Sequence, residues 1–482
     1  MKRITRAAIR QKEPYLWEIP ASFRPDMQVP ARIIAAESLL EHILDDRSLQ
    51  QLVNVTTLPG IRKAAFVMPD VHEGYGFPIG GVAATAYPHG AISPGGIGYD
   101  INCGVRLLVT CQNERDVRPY LPRLIRALSE QIPSGMGTPG HLVLTDEELN
   151  QVLATGAEWA VGQGYGTERD LEYTESHGRL PGADPTKVSE RARQRGRDQL
   201  GTIGSGNHFV EVGYVDAILA ADLARGFGLR EGQVTVLIHT GSRGLGHQIA
   251  TDYIRILVEA MPAYGISLPD RELACVPFDS PEGQDYFGAM CAGANFAWCN
   301  RQLVSWEVRQ AWRQVFGESA ELPELLYDVA HNIAKIETHA IAGQPERLIV
   351  HRKGATRAFG PGHAEIPEAY RPFGQPVMIP GSMGTSSYVL AGSAASSEIA
   401  FGSCCHGAGR RLSRTAAKKQ VNAPVLKERL QEAGVYIEAP FRRIAEEAPE
   451  AYKDVDIVVR SVEQAGIVAP VAQLRPLAVI KG

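Results

Sequence analysis

Apolar residues along this chain fall into two kinds of run. Some are short and nearly continuous: AAFVM at 64–68, VTVLI at 234–238, RLIV at 347–350 and PVMI at 376–379. Such runs predict buried strands, because an element covered on both faces shows no polar alternation. Elsewhere the spacing is helical. Ser280 and Pro281 supply an N-cap and a first helical residue, Phe287, Met290, Cys291, Ala294 and Trp298 recur at helical spacing, and Gly317 supplies a stop. The spacing predicts a shorter helix over 424–434 and another over 449–466, each bracketed by a Pro and a Gly. There is no fixed-period repeat, no low-complexity linker and no clean domain boundary. Residues 112–200 are more charged and read as peripheral structure. Strands and helices interleave throughout, which predicts a mixed α/β (α+β) class in one composite domain.

The segments just after the four strand-like runs change the picture. They are PDVHEGYGFPIGG, HTGSRGLGHQ, HRKGATRAFGPG and PGSMGTSS, each rich in Gly with His, Ser or Arg. Ligands collect where strand ends release their loops, and Gly lets backbone approach an anion. Four loops of the same chemistry therefore predict one shared site.

Composition narrows the class without naming it. At 482 residues, 44% hydrophobic and 21% charged, the chain can bury a sizeable core, which excludes a disordered or collagen-like protein. No apolar run reaches the ~18 residues of a membrane span. The basic start MKRITRAAIRQK has no apolar stretch behind it, so no secretory signal is expected. Seven thinly spread cysteines, with no C-x-x-C, point to a reducing, cytoplasmic compartment. A net charge of −5 gives no overall attraction to nucleic acid, so any such partner needs local basic patches.

Several residues could carry chemistry. Asp100 and Cys103, three apart in a Gly-bounded loop, can point at one ion once deprotonated; the bland reading is a buried Cys beside a solvated Asp. His208, His239 and His331, ordinary if taken singly, would complete an O/S/N set large enough for two metals sharing a ligand. His406 lies on a Gly loop (Gly402, Gly407, Gly409) followed by Arg410, Arg411 and Arg414. That setting suits attack on, or protonation near, a phosphoryl group, but equally a further metal-binding or helix-capping His. Cys404 and Cys405 read as small packing residues. No P-loop is present, and Gly135, Gly137 and Gly140 match G-x-G-x-x-G without a preceding strand. PGSMGTSS at 380–387 could cradle a nucleotide with backbone N–H groups and hydroxyls. Basic clusters occur at 191–197 and 410–419; Lys481 alone is an unremarkable tail lysine.

As a set, PDVHEGYGFPIGG (69–81), GGIGYDINCGVR (95–106), GSGNHFVE (204–211), HTGSRGLGHQ (239–248), AHN (330–332), HRKGATRAF (351–359), PGSMGTSSY (380–388), HGAGR (406–410) and Lys481-Gly482 resemble the RtcB family of GTP-dependent RNA ligases. The motifs run in family order from 69 to 482, and no position departs obviously from the family pattern. The resemblance implies an RtcB-like catalytic domain over 61–482, with sheets flanked by helices and residues 1–60 packed on it. It implies joining of 2′,3′-cyclic phosphate or 3′-phosphate RNA ends to 5′-hydroxyl ends, with GTP and two Mn²⁺ ions. By resemblance the metal ligands fall on Asp100, Cys103 (bridging), His208, His239 and His331, and the nucleophile on His406. Guanylate contacts fall on Asn207, His208, Phe209, Val210, Glu211, His331, Asn332, Pro380, Gly381, Ser382, Met383, Ser387, His406, Gly407, Ala408, Gly409 and Lys481. RNA phosphates would meet Arg195, Arg243, Arg410 and Arg414. Broken or spliced tRNA is the expected substrate, archease a candidate activating partner, and the monomer the expected state. Asp70 and His72 have no assigned role. Two rival readings use the same residues: a dinuclear metal-dependent phosphoesterase with His406 as general acid, and a non-catalytic RNA-binding protein with a structural metal.

Overall fold

The computed structural model describes residues 4–432, 434–438 and 445–482. Met1–Arg3 of the basic amino-terminal stretch lie outside the described residues. Among those described, the strands form two large sheets. One has seven strands in the order Arg10–Glu13, Leu16–Ile19, Ala31–Ile34, Ala65–His72, Ile79–Ala86, Gln344–Lys353, Asn332–Ile341. Strands from the first 34 residues are thus hydrogen-bonded into the same sheet as the first Gly-rich motif. The other sheet runs Glu324–Ala330, Gly104–Asn113, Gln233–Thr240, Phe209–Ile218, Val468–Lys481, Ser387–Gly392, Pro376–Ile379, with Tyr436–Glu438 parallel to Val468–Lys481. All four apolar runs are strands, and each extends beyond the run itself except Pro376–Ile379. Gln233–Thr240 is buried at every position, as a strand covered on both faces must be.

A 36-residue helix, Pro281–Phe316, crosses the interior. It starts where the Ser280 hydroxyl accepts the Gly283 N–H at 3.1 Å and ends at Gly317, whose φ is 95°. Its Met290, Phe296 and Trp298 pack into one apolar cluster and its Val304, Val308 and Trp312 into another, so it is apolar nearly all round. The polar residues it buries hold the loops that carry the chemistry. Arg301 and Arg106 share Asp328, with Nε to carboxylate distances of 2.7 and 2.8 Å, and the Trp298 indole N–H donates to the same carboxylate at 3.1 Å. Arg301 also donates to the carbonyls of Asn102 (2.7 Å) and Thr240 (3.1 Å). One side chain therefore pins the loop of Asp100 and Cys103 to the strand end carrying His239. Asn300, beside it, accepts from Thr202 N and donates to the carbonyls of Thr202 and Gly241, tying down the approach to His208.

The carboxy-terminal helices differ partly from expectation. A helix spans Ala423–Glu432, as the pattern predicts. The single helix expected over 449–466 is instead a short turn, Pro449–Ala451, and a separate helix, Val455–Gln464. Asp454 divides them: its carboxylate accepts from Asp456 N at 2.9 Å and starts a new helix. Residues 112–200 are mostly helical, including Leu121–Gln131 and Asp146–Thr155. No described helix is long and apolar enough to cross a membrane.

Candidate active site

Five neighbouring strands bring the candidate residues to one sheet edge. Glu324–Ala330, Gly104–Asn113, Gln233–Thr240, Phe209–Ile218 and Val468–Lys481 are mutually antiparallel, so alternate ends share an edge. At that edge His331 follows the first strand, Cys103 precedes the second and His239 lies near the end of the third. His208 precedes the fourth, and Lys481 ends the fifth, paired with Phe209. The seven-stranded sheet meets them from the other side, through Asp70, Asn332 and Gly354. All four Gly-rich loops, represented by His72, His239, Gly354 and Pro380, line one cavity of about 570 Å³.

The five oxygen, sulfur and nitrogen donors form two overlapping triads: Asp100, Cys103 and His208, and Cys103, His239 and His331. Cys103 Sγ lies 3.3 Å from Nε2 of both His208 and His239, and His239 Nε2 lies 3.3 Å from His331 Nε2. His208 Nε2 is 2.9 Å from the Asp100 carboxylate. The other Asp100 oxygen accepts from the N–H and hydroxyl of Ser242, at 2.9 and 3.2 Å, which fixes its aim. Gly241 must be Gly here, since a Cβ would stand 2.4 Å from that carboxylate.

The electrostatics suit cations. Burial pushes the Asp100 carboxyl up, but His208 and Arg243 outweigh it and hold it down to about 2, so it is an anion at neutral pH. Burial lowers His239 and His331 well below the usual imidazole range and keeps both neutral, the form that ligates. Burial and the Asp100 charge push the Cys103 thiol well up. A divalent ion would reverse that, because a coordinating thiol is deprotonated outright. Either triad has the donors to hold a metal ion, and Cys103 belongs to both.

His406 stands next to these donors, its ring centroid 4.8 Å from that of His331. Its strand, Ser403–Cys405, pairs with Ala355–Arg357, which sets it opposite Gly354. The fully buried Asp70 fixes its orientation. One carboxylate oxygen accepts both His406 Nδ1–H (2.6 Å) and the His406 backbone N–H (3.0 Å). Because a carboxylate only accepts, Nδ1 carries the proton, and in the neutral ring Nε2 keeps its lone pair. Gly409, at φ 73°, permits this approach: a Cβ would come within 2.1 Å of the Asp70 carbonyl. Lys453, which had no sequence signal, donates from Nζ to the carbonyls of Pro69 and Val71, on either side of Asp70. Its own backbone N–H donates to Gly409 O at 2.9 Å. Burial lowers His72 to about 3, and its Nδ1 bonds the Asp70 carbonyl.

The expected nucleotide residues distribute unevenly. Asn207, Phe209, Glu211, Asn332, Pro380, Gly381, Ser382, Met383, Gly407, Ala408, Gly409 and Lys481 line the cavity. Val210 does not: it lies in the ladder between Ile238 and Ile480, with its side chain in the core. Ser387 sits behind the cavity wall and accepts the Gly381 N–H at 3.1 Å, shaping that loop. Burial pushes the Glu211 carboxyl up to about 8, against the pull of Lys481.

The arginines are less free than a basic run suggests. Arg410 lines the cavity but turns its guanidinium onto Leu412 O, Glu446 O, Tyr452 and Glu447. Glu447 is a hub that the sequence does not reveal. It is buried, with Arg410 at 3.2 Å, Lys481 at 3.7 Å and Arg414 at 3.8 Å. Arg414 is half exposed and lines the cavity; Arg195 bonds Gln248 and Arg243 bonds Thr202 and Gly135 O, both outside the lining.

Comparison with known proteins identifies the family. The family profile described as "tRNA-splicing ligase RtcB" matches residues 51–482. The chain is 55% identical over 469 residues to the "tRNA-splicing ligase RtcB" of Thermococcus kodakarensis, covering 97% of each chain. It is 54% identical over 471 residues to that of Archaeoglobus fulgidus, covering 97% of this chain and 98% of the relative. It is 52% identical over 437 residues to the "RNA-splicing ligase RtcB" of Mycobacterium bovis, covering 90% of this chain and all of the relative. A family profile over most of the chain and relatives more than half identical along nearly its full length show that this chain belongs to the RtcB family.

Proposed function

We propose that this protein is an RNA ligase that seals a 2′,3′-cyclic phosphate or 3′-phosphate RNA end to a 5′-hydroxyl end, in tRNA splicing or RNA repair. GTP is consumed as a substrate and Mn²⁺ is the resident metal. The observation that carries this reading is His406: its Nδ1 proton is held by Asp70, and its ring shares one cavity with the candidate metal donors Asp100, Cys103, His239 and His331.

His406 Nε2 attacks the α-phosphorus of GTP; an N–P bond forms, the bond to the β-phosphate oxygen breaks, and pyrophosphate leaves. Asp70 stabilises the positive charge that develops on the ring, as a carboxylate behind a nucleophilic or basic imidazole does. The RNA 3′-phosphate, released from its cyclic form by water, then attacks the same phosphorus and breaks the N–P bond, which frees His406. Finally the 5′-hydroxyl oxygen attacks the RNA phosphorus, loses its proton, and GMP departs. Asp100, Cys103, His208, His239 and His331 would hold two metal ions, which supply Lewis-acid stabilisation of phosphoryl charge. The carboxylate among the ligands suits Mn²⁺, while the thiolate and imidazoles also attract Zn²⁺, so excess Zn²⁺ should inhibit.

Glu211 and Lys481 line the cavity, and we assign the guanine edge to them. On giving up the proton that burial favours, the Glu211 carboxylate would accept the two adjacent N–H donors of guanine, whereas adenine offers an acceptor at the equivalent ring nitrogen. A phosphoesterase needs no such contact. The test is to supply RNA carrying a 2′,3′-cyclic phosphate with a 5′-hydroxyl strand, with and without GTP and Mn²⁺. A joined strand that requires both supports the reading; phosphate release with no joined strand contradicts it.

A further inference from the structure

Part of the cavity lining is used neither by the expected guanylate contacts nor by the metal donors. It includes an aromatic wall. Tyr75, from the first Gly-rich motif, and Tyr99, adjacent to Asp100, line the cavity with ring centroids 5.4 Å apart and planes at 65°. His247 stacks on Tyr99 at 4.8 Å and 24°, so Tyr99 is braced. The Tyr75 backbone is fixed as well: Lys353 Nζ donates to its carbonyl at 2.7 Å, and the next residue, Gly76, donates to Glu272 at 3.0 Å. Both tyrosines are only half buried. The cavity lining also carries Asp46, Glu73 and Lys353, with Arg410, Arg411 and Arg414 from the loop after His406.

A braced, half-exposed aromatic wall favours a flat ring that can stack on it. Single-stranded RNA ends are held in this way, by stacking of an unpaired base on aromatic side chains. We propose that the Tyr75–Tyr99 wall is a nucleobase subsite that holds the terminal nucleotide of an RNA strand, so that its reactive end faces Asp100 and Cys103. This rests on the ligase reading of the same cavity. The shared chemistry is a nucleobase, whether from the 3′-phosphate strand or the 5′-hydroxyl strand.

The full-length protein with Tyr75→Ala, Tyr75→Phe, Tyr99→Ala and Tyr99→Phe, each made singly, provides the test. Three steps are measured apart: self-labelling of His406 by GTP, transfer of the guanylate to a 3′-phosphate oligonucleotide, and sealing of that activated oligonucleotide to a 5′-hydroxyl strand. The expected result is self-labelling within about twofold of wild type in both alanine variants. In one RNA step the KM should rise about 5- to 150-fold, the usual range for one lost base stack, with the phenylalanine variants restored. A rise in the transfer step assigns the base to the 3′-phosphate strand; a rise confined to sealing assigns it to the 5′-hydroxyl strand. Unchanged RNA steps in both alanine variants would overturn the proposal. So would equal loss of self-labelling, which would make the wall a brace for the Asp100 loop, or phenylalanine variants as impaired as alanine. Absence of self-labelling in the wild type would instead sink the ligase reading itself.

Discussion

Replacing Asp70 with Asn tests the most specific feature of the site. The substitution keeps shape and volume but removes a charge from a fully buried position. In the native arrangement one Asp70 oxygen accepts two N–H groups of His406, at 2.6 and 3.0 Å. An Asn presents one oxygen and one NH₂. If the NH₂ takes the place of that Asp70 oxygen, it faces both N–H groups, the ring adopts the Nε2–H tautomer, and the lone pair aimed at phosphorus is lost. If the oxygen instead keeps Nδ1, the nucleophile survives, but the cation formed during attack loses its buried counter-charge. Removing one partner of a buried charged pair costs about 3–5 kcal/mol. At about 1.36 kcal/mol per decade this is a fall of roughly 10²- to 10⁴-fold in the rate of His406 guanylylation. The assay is single-turnover transfer of label from α-labelled GTP, with melting temperature as the folding control. Sealing of a pre-activated RNA does not use Nε2 and should fall far less. Guanylylation by a folded Asp70→Asn protein within about threefold of wild type would refute the reasoning.

Other outcomes are expected from the same geometry. Loading Mn²⁺ near neutral pH should release about one proton from the Cys103 thiol, read by calorimetry in buffers of different ionisation enthalpy; Cys103→Ala should lose that proton and the paired binding of two ions. Because Glu211 is raised in the fold to about 8 from an ordinary 4.5, it contributes stability below pH ~4.5 that is lost as pH rises through about 8. The melting temperature of Glu211→Gln should therefore gain on wild type across that window, and parallel curves would contradict the shift. Glu211→Gln should also weaken use of GTP more than it weakens metal binding. Arg301→Met breaks the link from the central helix to Asn102 and Thr240, and should destabilise the fold by about 3 kcal/mol or more while weakening metal affinity. Retained metal affinity with a lowered melting temperature would confine Arg301 to the core.

Much of this was legible in the sequence wherever chemistry and local structure coincide. The continuous apolar runs marked buried strands, and their Gly-rich outlets marked one cavity. Ser280, Pro281 and Gly317 fixed both ends of the longest helix, because caps act locally. The order of the strands was not legible, since it depends on pairings such as Lys481 with Phe209 that no local pattern encodes. Asp70 was visible in a motif but silent in role, because its partner lies 336 residues away. Glu447 sits in an ordinary acidic stretch, and only the fold shows it drawing in Arg410, Arg414 and Lys481. The same contact explains why a run that reads as a phosphate-binding patch turns its first arginine inward. Arg301 and Asn300 were hidden by a helix whose apolar residues dominate its pattern.

The central claim is that His406 forms a bond to phosphorus through Nε2. The most direct measurement is to incubate the protein with Mn²⁺ and α-labelled GTP, denature it, and examine the retained label. The account predicts a label lost in acid, stable in alkali, and absent from His406→Ala, as a histidine phosphoramidate requires. A wild-type protein that releases phosphate from RNA ends yet retains no label would contradict it.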